Sequence, residues 1–346
     1  MSQLSASDAL DLVCRPGGMD AGESTQLLDL LISGGLAPER SAAILVALAK
    51  RGETAVELAA FVTGLLARAI PVPLVGGSLD PVGTGGSGLT RYNVSTTAAF
   101  IAAAAGVPIA KHGNRGSARS NGSFDFLEAL GVPFQLPPDK LARLHADTGV
   151  CFLFARAFHP AIAAAAPARK LAAAEVKRTI FNLAGPLANP ARPTRRLIGA
   201  CDERIARLLA ETMAILRVDG AVVVSGHPGI DEVSVTGATL VWEITAAGQH
   251  HRVIAPAVHH GIQHQDLPGG DAATNAALFH ELIHGRLDGP LLDMVLVNAG
   301  VAIDAWHGRL ISSAGEGSRQ ARDLVASGAV ARGFNRHREA ALALNG

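Results

Sequence analysis

Cysteine is scarce in this sequence of 346 residues, and its three cysteines, Cys14, Cys151 and Cys201, are widely separated. Because their number is odd and no two have a C-x-x-C spacing, the pattern excludes a disulfide framework and a paired cysteine metal site. We therefore expect the chain to work in a reducing compartment.

Excess charge and long apolar runs are also missing. Lys and Arg number 30, as do Asp and Glu, so the formal net charge is zero and no basic field exists to hold nucleic acid or an anionic membrane. The first residues lack the basic and apolar regions of a signal peptide, and the Ala-rich run at residues 98–110 is too short to span a bilayer. We expect a cytoplasmic protein with no nucleic-acid or membrane partner.

Aromatic side chains make up only 4% of the chain and charged ones only 17%, whereas apolar residues reach 49% and glycine occurs 38 times. An interior of this composition is built from Ala, Val, Leu and Ile, with many tight backbone turns. The length corresponds to about two domains. Together these proportions favour an α/β enzyme over a small β-domain.

The apolar pattern changes near residue 72. Up to about residue 70, apolar residues recur at intervals of three and four, which predicts helices. Beyond the Pro-Val-Pro at residues 71–73, helical patterns alternate with short apolar segments, which predicts a mostly parallel sheet covered on both faces. The predicted strands contain residues 107–110, 197–200 and 221–225.

We therefore predict the α/β fold class, with a small helical domain at residues 1–72 and a larger α/β domain at residues 73–346. A stretch at about residues 161–188 is predicted to return to the helical domain. Helices are expected again over the sheet from residue 271 to 344. In such a sheet, ligands bind at the carboxyl ends of the strands.

A glycine-rich segment, DPVGTGGSG at residues 80–88, carries the strongest local signal. Asn93, Ser95 and Thr96 follow it at the start of an apolar helical pattern. Glycines allow backbone N–H groups to approach an anion, and hydroxyls at a helix N-terminus lie where the helix dipole favours negative charge. The segment predicts a phosphate cradle that is neither a P-loop nor a dinucleotide fingerprint. A tight turn capped by Asn93 and Ser95, with no ligand, is the alternative.

A second cluster, KHGNR at residues 111–115, stands where another predicted strand ends. It brings two cations, an imidazole and a carboxamide to one strand terminus, which indicates a phosphate or carboxylate ligand. A solvated loop would also tolerate the charges, but Ala110 and Gly113 beside them favour a pocket.

Asp231 and Glu232 follow a third strand and the turn at residues 226–229. Adjacent carboxylates repel each other unless a cation lies between them, and Mg²⁺ commonly takes one or two carboxylates plus substrate phosphates. Alone, such a pair is usually solvated surface. In a chain with a phosphate cradle, it predicts a magnesium site.

Several histidines lie close together in one segment: His250, His251, His259, His260 and His264. No carboxylate or cysteine completes a metal-ligand set at a characteristic spacing. We therefore expect these histidines in a surface loop rather than at a metal site.

In their order along the chain, the motifs resemble those of the anthranilate phosphoribosyltransferase family over essentially the full length. KRGET at residues 50–54 is similar to the family's KGET segment, and residues 83–96 are similar to its diphosphate loop. KHGNR is the family's most recognisable motif, and RTIFNLAGPLANP at residues 178–190 matches its RTIFNLLGPLTNP stretch. Residues 231–232 stand at its magnesium pair, and residues 269–272 and 297–300 match its C-terminal helices.

The resemblance implies a nucleoside phosphorylase/phosphoribosyltransferase-like fold, a homodimer through the helical domain and an active site in the cleft between the domains. It implies transfer of a phosphoribosyl group from phosphoribosyl diphosphate to the amino group of anthranilate, in tryptophan biosynthesis, with Mg²⁺ as cofactor. The transition state is expected to be oxocarbenium-like. The protein would then mainly position the reactants and stabilise the departing charge.

By position, the resemblance also assigns three sets of residues. The donor set is Gly83, Thr84, Gly85, Gly86, Ser87, Asn93, Ser95, Thr96, Lys111 and Arg119. The acceptor set is His112, Asn114, His159 and Arg169, and the metal set is Ser95, Asp231 and Glu232. No residue is assigned a definite catalytic role, and the reactants are expected to be positioned by Lys111, Asn114 and Arg169.

The donor loops depart from the family's pattern. Ser87 stands where the family carries Asp after GTGG, Ala118 and Arg119 replace a serine pair, and Ser120 replaces a lysine. Two other functions therefore stay open. One is a paralogous glycosyltransferase or phosphorylase with another acceptor or sugar-phosphate donor, and the other is a non-catalytic ligand-binding relative.

Overall fold

Four helices form the first part of the fold, where the spacing of apolar residues predicts them. In the computed structural model, which describes residues 4–86, 92–116, 121–256 and 261–346, they are α1 (Ala6–Cys14), α2 (Ala21–Ile32), α3 (Pro38–Arg51) and α4 (Ala55–Arg68). Capping boxes start α2 and α4, because the side chains of Asp20 and Thr54 accept from the third residue of each helix and its glutamate bonds back. Leu27, Leu45 and Phe61 are buried in the core of these helices.

Within the described ranges, seven strands form one sheet, with the order β3-β2-β1-β4-β5-β6-β7. They are β1 (Leu79–Gly83), β2 (Ile109–Gly113), β3 (Val150–Phe154), β4 (Arg195–Gly199), β5 (Gly220–Gly226), β6 (Thr239–Thr245) and β7 (Gly248–Ile254). Strands β3, β2, β1, β4 and β5 run parallel to one another, whereas β6 and β7 are antiparallel strands added at the β5 edge. The predicted α/β class with a mostly parallel sheet is confirmed, and the three predicted strand segments fall on β2, β4 and β5.

The remaining helices follow or connect these strands. They are α5 (Val94–Ala104), α6 (Ser123–Ala129), α7 (Pro138–Thr148), α8 (Ala155–Phe158), α9 (Ala166–Ala172), α10 (Ile180–Ala184), α11 (Glu203–Ile215), α12 (Ala272–Ile283), α13 (Pro290–His307), α14 (Glu316–Ala326) and α15 (Ala329–Asn345). Short 3₁₀ helices occur at Pro160–Ala165, Gly185–Leu187 and His264–Asp266. None of the described helices combines the length and apolar character needed to cross a membrane.

Side chains of the strands enter two large cores, one on each face of the sheet. Leu79 and Leu197 belong to a core with side chains of α5, α13 and α15. Val82 and Ile198 belong to a second core, which they share with α11 and the first four helices. Because successive residues of a strand point to opposite faces, apolar residues at both kinds of position require a sheet covered on both sides.

The chain returns to the first helices after β3. There α9 packs against α3 and α10 against α4, and Ala168, Ile180 and Phe181 join the core that contains Leu27. An exposed ion pair between Lys50 and Glu175 (3.0 Å) adds to this contact. The return segment therefore shares a core with the helices, while the domain boundary near residue 72 stays a prediction.

The histidine-rich segment contains a strand, so the expectation of a surface loop is wrong there. His250 and His251 lie on β7, and the ring of His251 lies 4.5 Å from that of Trp242 on β6. His264 is buried, and the histidines at 259 and 260 lie outside the described residues. Local composition did not reveal the strand, because β7 is stabilised by pairing with β6 rather than by its own apolar residues.

His337 on α15 is buried among aromatic side chains. Its ring centroid lies 5.6 Å from those of both Phe100 and Phe152. Its Nδ1 is 3.1 Å from the hydroxyl of Thr148, which donates its own hydrogen to the Leu144 carbonyl, so we assign the ring proton to Nδ1. Its Nε2 has no hydrogen-bond partner among the described residues, and burial lowers the pKa of His337 to about 4.

This histidine should destabilise the fold in acid. The unfolded chain protonates it below its ordinary pKa of 6.5, so its stabilising contribution is complete above that pH and is lost as the pH falls towards 4. We expect His337 to lower the free energy of unfolding by about 3 kcal/mol as the pH falls from 7 to 4. Urea unfolding of His337→Phe should show a correspondingly smaller pH dependence, whereas the exposed-site control His250→Gln should match the unmodified protein. Equal pH dependence in His337→Phe would contradict this prediction.

Candidate active site

Glycine ends four neighbouring parallel strands, β2, β1, β4 and β5, where ligands bind to such a sheet, and three of these glycines face residues 231–232. Gly83 ends β1 and Gly199 ends β4, and a β-carbon added to either would overlap Asp231. Gly226 ends β5, where a β-carbon would overlap the backbone oxygen of Glu232. Glycine at these positions leaves room for the segment that carries both carboxylates.

Backbone hydrogen bonds hold the loop after β1 against this segment. The Thr84 N–H donates to the Gly199 carbonyl (2.9 Å), and the Gly85 N–H donates to Oδ2 of Asp231 (2.8 Å). The thiol of Cys201 donates to the Gly85 carbonyl (2.8 Å). The structure therefore brings residues of the predicted donor set and metal set together.

In the predicted phosphate cradle, not every backbone N–H group is open to a ligand. The Gly85 N–H, which is assigned to the donor, is already bonded to a carboxylate in this structure. Gly85 and Gly86 have φ angles of +63° and +87°, which residues with side chains rarely adopt, and Gly86 is exposed. Ser87 lies outside the described residues, as does Arg119 of the same predicted set.

Three further donor residues lie at the start of α5. Thr96 is buried and Ser95 is half-buried. Asn93 makes no capping bond to the helix, and its Oδ1 instead accepts from Nδ2 of Asn275 on α12 (2.8 Å). The predicted cap by Asn93 is therefore absent, because this side chain joins two elements, while ligand binding by the segment stays a prediction.

Lys111 is buried near the end of β2, with only 3% of its surface exposed. Its Nζ donates to the carbonyl of Pro81 on β1 (2.5 Å). Burial lowers the pKa of Lys111 to about 8, although the negative charges of Asp80, Asp231 and Glu232 oppose the shift. The ammonium group thus lies in the field of the carboxylate pair.

Asp80 and Asn189 have no place in the predicted sets, yet both are fully buried next to this lysine's strand. The carboxylate of Asp80 accepts from the His112 backbone N–H (3.1 Å) and from Nδ2 of Asn189 (2.8 Å), which also donates to the Ala110 carbonyl (2.8 Å). Burial raises the pKa of Asp80 to about 6, against the opposing charge of Lys111. The signal that could have revealed this hydrogen-bond network is the carboxylate of Asp80 within a short apolar strand.

On the acceptor side, His112 and His159 lie with ring centroids 5.4 Å apart. The His112 ring bonds to the backbone of Gly185, and Nε2 of His159 donates to the Ala188 carbonyl (2.8 Å). Burial, with the neighbouring His159, lowers the pKa of His112 to about 3, and burial also lowers that of His159. Both rings are therefore neutral near pH 7.

Arg169 of α9 places its guanidinium 5.5 Å from the ring centre of Phe181 on α10. The side chain is half-buried, burial lowers its pKa, and its Nε has no hydrogen-bond partner within the described ranges. A guanidinium held by an aromatic face is well suited to bind a ligand carboxylate bidentately. Asn114, the remaining acceptor residue, is exposed, and its Oδ1 accepts from the Arg115 N–H (2.9 Å).

The carboxylate pair fits a magnesium ion that takes further ligands from a substrate. Glu232 is buried and Asp231 is half-buried, and their carboxylate oxygens are ligands that Mg²⁺ prefers. Ser95, the third predicted ligand, is half-buried at the start of α5. Within the part of the chain that the structure describes, no three or more His, Cys, Asp or Glu side chains gather as a metal-binding group. Mg²⁺ commonly takes one or two carboxylates from a protein and its remaining ligands from substrate phosphates and water.

Comparison with protein families divides the chain in a similar way. Residues 8–69 match the helical bundle domain of the Glycosyl transferase family, and residues 76–331 match its a/b domain. The anthranilate phosphoribosyltransferase of Rubrobacter xylanophilus is 40% identical over 315 residues, which cover 90% of this chain and 90% of that protein.

Solved structures share the whole fold. The anthranilate phosphoribosyltransferase from Thermus thermophilus has a TM-score of 0.86 at 36% identity, covering 96% of this chain and 99% of that one. The Saccharomyces cerevisiae enzyme in complex with PRPP and Mg has a TM-score of 0.83 at 26% identity, covering 99% of this chain and 94% of that one. By sequence and fold, the chain belongs to the anthranilate phosphoribosyltransferase family.

Proposed function

We propose that the chain transfers a phosphoribosyl group from phosphoribosyl diphosphate (PRPP) to the amino group of anthranilate, giving N-(5-phosphoribosyl)anthranilate and diphosphate in tryptophan biosynthesis. One observation carries the proposal: a glycine loop, a buried lysine and a carboxylate pair converge at the strand ends of a chain that also holds an arginine over an aromatic ring. The activity for which the relatives are named supports it.

The donor is proposed to bind at the charged edge of the sheet. The loop at residues 83–86 would approach the diphosphate, and Lys111 would add a positive charge that water screens little because the side chain is buried. Asp231, Glu232 and Ser95 would hold Mg²⁺, which neutralises negative charge on the diphosphate when it is bound. The yeast relative in complex with PRPP and Mg supports this choice of cofactor.

The acceptor is proposed to bind through Arg169, whose guanidinium would hold the carboxylate and so orient the amino group. As the bond from the ribose C1 to diphosphate oxygen breaks, a bond from C1 to the amine nitrogen forms, and the proton that the amine loses passes to the released diphosphate or to water. Positive charge develops on the ribose in this transition state. His112 and His159 suit it because their low pKa values keep both rings neutral, so they add no repelling charge.

We also infer a homodimer formed through the helical domain and a cytoplasmic location. The resemblance to the family supports the dimer, and Leu10 on α1 and Val56 on α4, which expose 40% and 41% of their surface, lie on the helices that it assigns to the interface. Sedimentation equilibrium should then give twice the chain mass of 35.5 kDa. A single-chain mass at micromolar concentration would contradict the dimer.

The proposed reaction is tested with purified protein, PRPP, Mg²⁺ and anthranilate, by following the loss of anthranilate fluorescence. A loss that requires both PRPP and Mg²⁺ supports the proposal, and persistent fluorescence contradicts it. In that case, diphosphate release with other aromatic amines, or phosphate release with other sugar phosphates, would identify an altered acceptor or donor. Saturable binding without any product would identify a non-catalytic relative.

Asp231→Asn and Glu232→Gln should each lower kcat/KM by about a hundredfold or more, because each removes a negative charge from the proposed magnesium site. Calorimetry should show the same loss in the Mg²⁺-dependent part of PRPP binding. Glu211→Gln removes an exposed carboxylate from α11 and should change neither quantity. Unchanged Mg²⁺ dependence in both site variants would remove these residues from the metal set.

Arg169→Lys should raise the KM for anthranilate by about tenfold to a hundredfold, because lysine keeps the charge but loses the two-point contact with a carboxylate. The KM for PRPP should stay the same. Lys170→Ala changes an exposed cation next in the chain and serves as the matched control. A larger effect on PRPP than on anthranilate would place Arg169 on the donor side instead.

A further inference from the structure

A buried asparagine outside the predicted sets joins the two loops that carry the donor residues. Asn275 on α12 is fully buried, and its Nδ2 donates to Oδ1 of Asn93 (2.8 Å) and to Oδ1 of Asn121 (3.1 Å). Its own Oδ1 accepts from the Gly270 N–H (2.9 Å). One side chain therefore bonds three segments that are far apart in the sequence.

The two asparagines that it holds border the donor set. Asn93 precedes Ser95 and Thr96 at the start of α5, and Asn121 stands two positions after Arg119 in the sequence. The two are also bonded to each other, because Nδ2 of Asn93 donates to the Asn121 carbonyl (3.2 Å). The loop that follows β1 and the loop that follows β2 are thus tied together where each one ends.

We infer that Asn275 is a positioning residue for the phosphoribosyl donor, which fixes the spacing of the two donor loops before the donor binds. This inference rests on the proposed function of the same site. It adds Asn275 and Asn121 to the residues on which donor binding depends, although neither is placed in contact with the donor.

The chemistry of the amide explains why asparagine suits this position. An asparagine side chain has two N–H donors and one carbonyl acceptor, and here its nitrogen serves two oxygens while its oxygen serves one N–H. Aspartate has nearly the same shape but would turn a carboxylate oxygen towards the two amide oxygens. Alanine would leave the partly buried acceptors of Asn93 and Asn121 without their donor, which costs free energy.

The inference predicts which kinetic constant changes. Without the hydrogen bonds from Asn275 to Asn93 and Asn121, both loops must become ordered when the donor binds, and the free-energy cost of this ordering weakens donor binding. Two acceptor residues are held by other contacts, since His159 bonds to the Ala188 carbonyl and Arg169 lies over Phe181. Asn114 alone of the acceptor set lies on the loop that follows β2, so the KM for anthranilate should change much less than the KM for PRPP. A general loss of stability would instead affect the kinetic constants for both substrates alike.

The kinetic test uses Asn275→Ala and Asn275→Asp in the full chain. Both should raise the KM for PRPP about tenfold or more, with kcat and the KM for anthranilate within about twofold of the unmodified enzyme. Asn121→Ala, at a half-buried position, should give a smaller rise, and adding it to Asn275→Ala should cost little more, because the two residues share one bond. Thr212→Val, which removes a buried hydroxyl bonded to the Leu208 carbonyl, is the control for stability alone.

A second measurement separates this inference from the proposed function. Hydrogen exchange of the ligand-free protein should be faster in Asn275→Ala at backbone amides of residues 84–86, 92–97 and 113–116, and unchanged there in Thr212→Val. If the unmodified chain neither binds PRPP nor turns over, the proposed function fails, while the exchange result still decides whether Asn275 fixes the loops. Exchange or donor KM equal to that of the unmodified chain, or KM values for both substrates that rise together, would overturn the positioning role.

Discussion

The close approach of residues 231–232 to the strand ends is the contact on which the rest of the site depends. It requires glycine at Gly83 and Gly199, and it lets the Asp231 carboxylate reach the Gly85 N–H. From the other side, Asn298 of α13 holds the segment by accepting from the Val233 N–H (2.8 Å) and donating to its carbonyl (2.9 Å). The loop that follows β1 is therefore bonded directly to the Asp231 carboxylate, and Lys111 lies in the electrostatic field of the carboxylate pair.

The donor half and the acceptor half of the site have different electrostatic environments. The donor half is highly charged, and its buried charges stabilise one another: the negative charge of Asp80 favours the protonated form of Lys111, and Lys111 favours ionised Asp80. The acceptor half combines the cation Arg169 with two imidazoles that burial keeps neutral. A highly charged diphosphate leaving group needs the first environment, whereas a ribose with developing positive charge beside an aromatic amine needs the second.

Sequence patterns predicted those features that depend on short-range signals. The glycine loop, the KHGNR cluster and the carboxylate pair were found because each interrupts an apolar segment within a few residues. Asp80, Asn189 and Asn275 were missed as site residues because their partners lie far away in the sequence, as with the bond from Asn189 to Asp80. Strand β7 was missed for the same reason, since its pairing with β6 decides its conformation. The departures at residues 87 and 118–120 lie outside the described residues.

The shared core of the first helices has a consequence for how this chain can be divided. The helical family model ends at residue 69, yet Ala168 and Phe181, which stand far beyond it, fill the same core as Leu27. The linker is also bonded to both ends of the return segment, because the Ile70 N–H donates to the Phe158 carbonyl (2.9 Å) and the Val72 N–H to the Pro190 carbonyl (3.3 Å). The helical part is therefore not an interchangeable module. A recombinant exchange or an evolutionary fusion that cuts the chain only at the linker would separate the core of the first helices from the side chains of the return segment that complete it.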